Sequence, residues 1–211
     1  MRNFENWETQ DIEEIFNITE LKNMPLLEDW LHTPILPLEE AENRIVERLR
    51  NKLLDNADFW NEDELKLQFI APLLLIVNYD IPNCKTFSQR MLSATINGIE
   101  IGGRVDFMLA KGKQKPVKPY FFIHEYKQET KKGSSDPKGQ LLAVLLTAQA
   151  KNDKTMPLYG CYVLGRSWFF LVLNGSEYAV SNSLNASDSD IYQIIAILRK
   201  IKDYVAVFLK M

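Results

Sequence analysis

Two stretches decide how this chain is read: Gly102-Gly103-Arg104-Val105-Asp106-Phe107-Met108-Leu109 and Phe121-Phe122-Ile123-His124-Glu125-Tyr126-Lys127-Gln128. Both read as strands, over 99–110 and 120–127, because apolar β-formers fill them and turn residues bound them. Side chains two apart along a strand share a face about 6.6 Å apart. Glu125 and Lys127 therefore point the same way as Ile123, while Phe122, His124 and Tyr126 point to the other face. The run Tyr120-Phe121-Phe122-Ile123 is apolar on both faces, as in a buried central strand. An aspartate within one such strand and a Glu-x-Lys at the end of the next form a cluster of two carboxylates and an ammonium. Ionised groups at the edge of a buried sheet are costly unless paired or bound to metal.

That cluster suits one chemistry in particular. Two carboxylates with an open position bind Mg²⁺ through oxygen and leave room for water and substrate phosphate. The metal acidifies water and neutralises charge on a phosphoryl transition state. A neighbouring lysine can orient or deprotonate the attacking water and stabilise developing charge. Asp106, Glu125 and Lys127 fill these roles in that order.

Working outward, Asn97-Gly98 is a hairpin turn between a strand over 86–95 and the Asp106 strand. Residues 111–118 form a basic loop. Residues 131–137 form a polar loop, and Pro137 suits the first turn of a helix running to about Lys151. Strands follow over 158–164 and 168–173, then Asn174-Gly175 and a short hairpin partner. A long helix from about Asp188 carries the stripe Ile191, Ile194, Ile195, Leu198, Ile201, Val205 and Phe208. Upstream, Leu38, Ala41, Ile45, Leu49 and Leu53 recur at helical spacing. A second helix starts at Asn61, with Glu64 in capping-box position and Pro72 expected to bend it or end it early. Strands interleaved with helices predict an α/β domain whose mixed sheet is covered on both faces.

Composition agrees with a globular chain: 211 residues, 46% hydrophobic and 25% charged, enough to bury roughly 70% of the unfolded surface without disulfide or metal. No apolar run approaches the roughly 20 residues that cross a bilayer. The first residues lack a signal-peptide pattern, and Cys84 and Cys161 have no partner at zinc-ligand spacing. A cytoplasmic protein with two reduced thiols and no membrane partner is the expectation. Residues 1–64 hold 17 acidic and 6 basic side chains, whereas residues 65–211 hold 11 and 19. Such asymmetry suggests an acidic N-terminal layer on a body that sits near a polyanion. Lys111, Lys113, Lys115, Lys118, Lys131, Lys132 and Lys138 are expected to flank the cluster and track a phosphate backbone.

Two flanking helices offer further polar residues. The acidic candidate is Glu62 or Glu64: Glu62 precedes Leu65 by three and Phe69 by seven positions and so shares the face that packs on the sheet, whereas Glu64 is more easily explained by the cap, which favours Glu62 and leaves Glu64 open. Gln140, in Asp136-Pro-Lys-Gly-Gln140-Leu-Leu, either holds water or a carboxylate or bonds a loop at the helix start. Gly-Arg-Val-Asp106, the strand ending Glu125-Tyr-Lys127, the acidic helix before and the glutamine helix after together resemble the PD-(D/E)XK nuclease superfamily. Within it the chain is most similar to the nuclease domain at the N-terminus of type I restriction-enzyme motor subunits and its stand-alone relatives, over about residues 60–180. The strand with Tyr159-Gly160 and the hairpin at Gly165-Arg-Ser-Trp-Phe-Phe share that likeness. The resemblance implies a restriction-endonuclease-like three-layer α/β/α fold. It divides the chain into an acidic helical extension (1–58), a nuclease core (59–182) and a final helix (183–211). It implies a metal-dependent nuclease acting on nucleic acid, DNA by expectation, with Mg²⁺ or Mn²⁺ held by Asp106, Glu125 and Glu62. Lys127 and Gln140 complete the catalytic set.

The alternatives come from different classes. A catalytically silent member of the fold would bind nucleic acid or protein without cutting. The acidic N-terminal segment could lie across the basic loops as a mimic of DNA. The final helix either packs on the sheet or pairs with a second copy as a homodimer. His124 reads as a core histidine, His32 has no partner in view, and Trp168-Phe169-Phe170 reads as a buried strand. Ser134, Ser135 and Ser187 belong to loops or caps. There is no phosphate-binding Gly-x-x-x-x-Gly-Lys-Ser/Thr.

Overall fold

Asn97 and Gly98 both take the left-handed backbone, at φ 50° and 79°, as a two-residue hairpin turn with right-twisted strands requires. That turn sets the register of a long hairpin, from Ile96 opposite Ile99 to Cys84 opposite Lys111. Around it, a computed structural model describes residues 1–129, 136–152 and 156–210. Lys131, Lys132, Ser134 and Ser135 lie outside the described residues.

In chain order the elements are β1 (Arg2–Asn3), a short 3-10 turn (Phe4–Asn6), α1 (Thr9–Phe16), β2 (Thr19–Glu20), α2 (Pro25–Leu31) and α3 (Glu40–Asn56). Next come α4 (Glu62–Leu65), a π turn (Lys66–Ile70), α5 (Ala71–Val77), β3 (Cys84–Ile96), β4 (Ile99–Lys111) and β5 (Val117–Lys127). The chain continues through α6 (Pro137–Lys151), β6 (Leu158–Leu164), β7 (Ser167–Asn174), β8 (Glu177–Val180), β9 (Leu184–Asn185) and α7 (Asp190–Lys210). The sheet runs β1-β4-β5-β6-β7-β8-β2, with β3 on β4 and β9 on β7. It is mixed: β5 and β6 are parallel, as are β1 with β4 and β2 with β8, and the other pairs are antiparallel.

Helices cover both faces, as the alternation of elements predicts. One core joins α2, α3, α4–α5 and α7 to Leu109, Phe122, Tyr159, Phe170 and Val172 of the sheet. The other joins the N-terminal segment and α6 to Val105, Met108, Ile123, Leu171 and Tyr178. Helix α6 is buried from Gly139 to Ala148, which fits its nearly unbroken apolar sequence. Among the described residues no helix is long and apolar enough to cross a membrane.

Several expectations meet corrections. Residues 1–58 are not an appended extension: β1 and β2 join the sheet, and Trp7 and Trp30 are buried in its two cores. An acidic segment anchored in this way is a structural layer of the fold. In α3 the buried stripe is Val46, Leu49 and Leu53, with Ile45 45% exposed. Both stripes satisfy helical spacing, but the observed one leaves Glu42 to pair with Arg199 of α7 at 2.7 Å. Pro72 does not end its helix. The preceding π turn absorbs it in the first turn of α5, where a missing N–H costs little. The stripe of α7 is covered by its own chain, with Ile191, Ile194, Leu198, Ile201 and Val205 buried in the first core, so it is not left over for a second copy.

Trp30 ties this layer together. It is fully buried, packs edge-on against Phe122, Tyr159 and Phe170, and donates Nε1–H to the Ile197 carbonyl at 2.8 Å. We predict that Trp30→Ala lowers unfolding free energy by about 3–5 kcal/mol in urea titration. Removal of residues 1–58 should abolish cooperative thermal unfolding, because both cores lose aromatic side chains.

Candidate active site

The β4–β5 ladder pairs Leu109 with Phe122, Met108 with Ile123 and Phe107 with His124, and there it stops. One step further would oppose Asp106 to Glu125. In place of a ladder bond, the Tyr126 N–H donates to Asp106 Oδ2 at 3.0 Å. The strand on the other side is also interrupted. Ser88 pairs with Phe107 and Arg90 with Val105, while Gln89 between them turns to φ 52°. A non-glycine residue in that region costs on the order of 1 kcal/mol or more. From this position Gln89 Nε2 donates to Asp106 Oδ1 at 2.7 Å.

The helix that follows Asn61 separates its two candidate glutamates. Asn61 Oδ1 accepts the Glu64 N–H and Glu64 Oε2 accepts the Asn61 N–H, both at 2.9 Å. Glu64 is therefore committed to its capping box. Glu62 instead meets the strand cluster. Its Oε1 accepts from Lys66 Nζ at 2.6 Å, one helical turn on. The same ammonium donates to Asp106 Oδ1 at 2.8 Å, and Lys127 Nζ lies 3.6 Å from Glu62 Oε2. Lys66 opens the π turn, an insertion that displaces the helix surface just past Glu62.

Gln140 closes the cluster from α6, donating Nε2–H to Glu125 Oε2 at 2.6 Å. Its position rests on Asp136, which caps the helix by accepting the Gly139 N–H at 3.0 Å. Asp136 also accepts the Thr9 N–H at 2.7 Å and the Thr9 hydroxyl at 2.6 Å. Gly139 is needed for this approach: a Cβ there would stand 2.7 Å from backbone atoms of Trp7, Glu8 and Thr9.

Electrostatics follow from burial and proximity. Glu125 is 1% exposed. Burial first, and the Asp106 charge second, raise its pKa well above the carboxylate range against the opposing pull of Lys127. Its Oε1 has no hydrogen-bond partner. Burial would lower the pKa of Lys66, but hydrogen bonds and charge from Asp106 and Glu62 outweigh it and the value rises. Lys127 is buried beside Glu125 on the same strand. Among the described residues, no three histidine, cysteine, aspartate or glutamate side chains form a ready ligand group. Lys66 stands between Glu62 and Asp106, where such a group would close.

The five residues expected from sequence, Glu62, Asp106, Glu125, Lys127 and Gln140, are thus linked into one network. Two members were missed, Lys66 and Gln89. The i,i+4 spacing of Glu62 and Lys66 carried a signal for the first; a strand glutamine in left-handed backbone carried none. His124 lies on the other face, fully buried against Phe107, Phe122 and Cys161, and burial lowers its pKa to about 3. The basic loop at 111–118 does not flank the cluster. Lys111 lies five residues along β4 from Asp106, about 17 Å away at strand rise, because the hairpin carries that loop to the opposite end of the sheet. Lys138 is closer but pairs with Glu20 at 2.9 Å. Exposed Arg90 and Arg104, beside Asp106 on β3 and β4, are the cations the sequence reading overlooked.

Compared with models of protein families the chain matches none, and no curated protein sequence matches it.

Asp136 gives a pH test of the α6 anchor. Burial opposes its charge, but the Thr9 and Gly139 hydrogen bonds and Lys138 prevail and lower its pKa below the usual value. A carboxylate depressed in the folded state adds stability above its unfolded pKa and loses it as pH falls through the folded value. Asp136→Asn should therefore be less stable than the parent at pH 7, and the difference in urea midpoint should shrink as pH falls through the acid range.

Proposed function

We propose that this chain is a divalent-metal-dependent nuclease of the PD-(D/E)XK type, with a restriction-endonuclease-like fold and DNA as its substrate. The observation that carries this reading is the junction of Glu62, Asp106, Glu125, Lys127 and Gln140 where β4 and β5 part. A chance Asp-x(n)-Glu-x-Lys pattern would have no reason to recruit a glutamate from one helix and a glutamine from another.

The donor set fits a hard cation. All candidate ligands are carboxylate oxygens, and Glu125 Oε1 is buried without a partner beside a second carboxylate. Asp106 and Glu125 would hold Mg²⁺ or Mn²⁺, with Glu62 reaching it from the helix. When bound, such an ion neutralises phosphate charge and acidifies a water molecule. The chain's own residues supply the rest. Gln140 holds Glu125 Oε2 and so leaves the buried Oε1 without a hydrogen-bond partner. Tyr126 N–H fixes Asp106 Oδ2. Lys127, held near Glu62, presents an ammonium to orient the attacking water and to stabilise charge on the phosphate oxygens. Arg90 and Arg104 lie where they can meet the flanking phosphates, a contact that is independent of sequence and weakens with salt.

A second reading draws on Lys66. Its ammonium already balances Glu62 and Asp106, as a silent member of the fold that binds nucleic acid would require. Cleavage separates the two. Plasmid and single-stranded DNA are incubated with millimolar Mg²⁺ or Mn²⁺ and the parent, Asp106→Ala or Lys127→Ala. We expect metal-dependent cutting by the parent and a loss of at least about 100-fold in each variant. Equal cutting by all three proteins, or none with either metal, would remove the nuclease reading.

A further inference from the structure

We infer that Lys66 is a tethered cation that occupies the position of a divalent ion between Glu62 and Asp106, so that metal enters only by displacing it. The inference rests on the metal-site reading above and adds a residue that lies outside the Glu-x-Lys strand motif.

The geometry leaves little alternative room. Lys66 Nζ donates to Glu62 Oε1 at 2.6 Å and to Asp106 Oδ1 at 2.8 Å. A Mg²⁺ ion needs oxygen ligands at about 2.1 Å in near-octahedral array. Set against the same two oxygens, it would stand within a few ångströms of the ammonium and be repelled by it. Asp106 Oδ1 is doubly engaged, since Gln89 also donates to it, and Oδ2 is held by Tyr126 N–H. Glu125 Oε1 is buried without a hydrogen-bond partner, and the Lys66 bonds must break before Glu62 and Asp106 can join it in holding a cation. Lys66 can leave: its side chain is 23% exposed, and its four-carbon stem is flexible.

Lys66 therefore sets the metal affinity of the resting site and keeps two carboxylates balanced when no ion is bound. Mn²⁺ alone is the probe, followed by loss of the free-ion paramagnetic signal and by calorimetry on the full chain. We expect Lys66→Met to bind Mn²⁺ about tenfold tighter or more, equivalent to about 1.4 kcal/mol, with Lys66→Gln in the same direction. Lys66→Arg, which keeps the charge, should stay near the parent. Mn²⁺ should also raise the melting temperature of Lys66→Met more than that of the parent, because the variant starts with one cation fewer beside Glu62 and Asp106. Equal or weaker binding by both folded neutral variants would overturn the inference. Asp106→Asn and Glu125→Gln separate that failure from a failure of the site itself. If they bind Mn²⁺ as the parent does, the metal-site reading and the Lys66 inference fall together. If they lose binding while the neutral Lys66 variants gain none, the role of Lys66 alone is removed.

Discussion

The last backbone pair between β4 and β5 is Phe107 with His124, and the polar chemistry of the molecule lies just past it. A strand paired along both edges has its N–H and C=O groups engaged, and two carboxylates directly opposite on one face repel each other. Once the strands part, backbone groups need other partners, because a buried amide left unpaired costs a few kcal/mol. Asp106 supplies one by accepting the Tyr126 N–H. The same opening admits a glutamate and a lysine from the π-turn helix on one side of the sheet and a glutamine from α6 on the other. The site is where both helical layers reach around the divergence of two strands.

Holding those charges there is expensive, and the surrounding network is arranged to offset the cost. Glu62 and Asp106 share the Lys66 ammonium, and Glu125 has an amide and a raised pKa that Lys127 only partly opposes. Gln140 can serve only because α6 begins where it does, and that start is fixed by a contact outside the strand motif, between Asp136 and Thr9. A nearly featureless acidic segment at the N-terminus thus positions an amide at the site. Gly103 belongs to the same arrangement: a Cβ there would strike the Asn3 side chain and the ring of Phe4, so β1 can lie against β4 only because that position is bare.

Much of this was legible in the chain. Strand alternation placed Glu125 and Lys127 on one face and His124 on the other, and the Asn97-Gly98 turn fixed a hairpin that needed no tertiary knowledge. The capping-box spacing of Asn61 and Glu64 favoured Glu62 for the site but left the choice open until the hydrogen bonds of both glutamates were seen. What could not be read were the effects of distant partners. β1 and β2 are two residues each, too short for any periodicity, and they exist only because β4 and β8 offer edges. The choice of Val46 over Ile45 as the buried face of α3 depends on what α7 presents. The place of the 111–118 loop is not legible from its closeness in sequence to Glu125, because the length of a strand separates them in space.

The pairing of β2 with β8 joins Thr19 to Glu177, and the Trp30 indole bonds a carbonyl at Ile197. These contacts span most of the chain's length, so loop-closure entropy is spent before they yield any return. Until those partners are in place, Trp30 is left in water. β2 and Trp30 can dock only once β8 and α7 are in place, whereas β1 needs only β4. The anchor of the glutamine helix, from Thr9 to Asp136, closes a shorter loop than either of these, so the order around Glu125 depends on the nearer of the segment's long-range contacts.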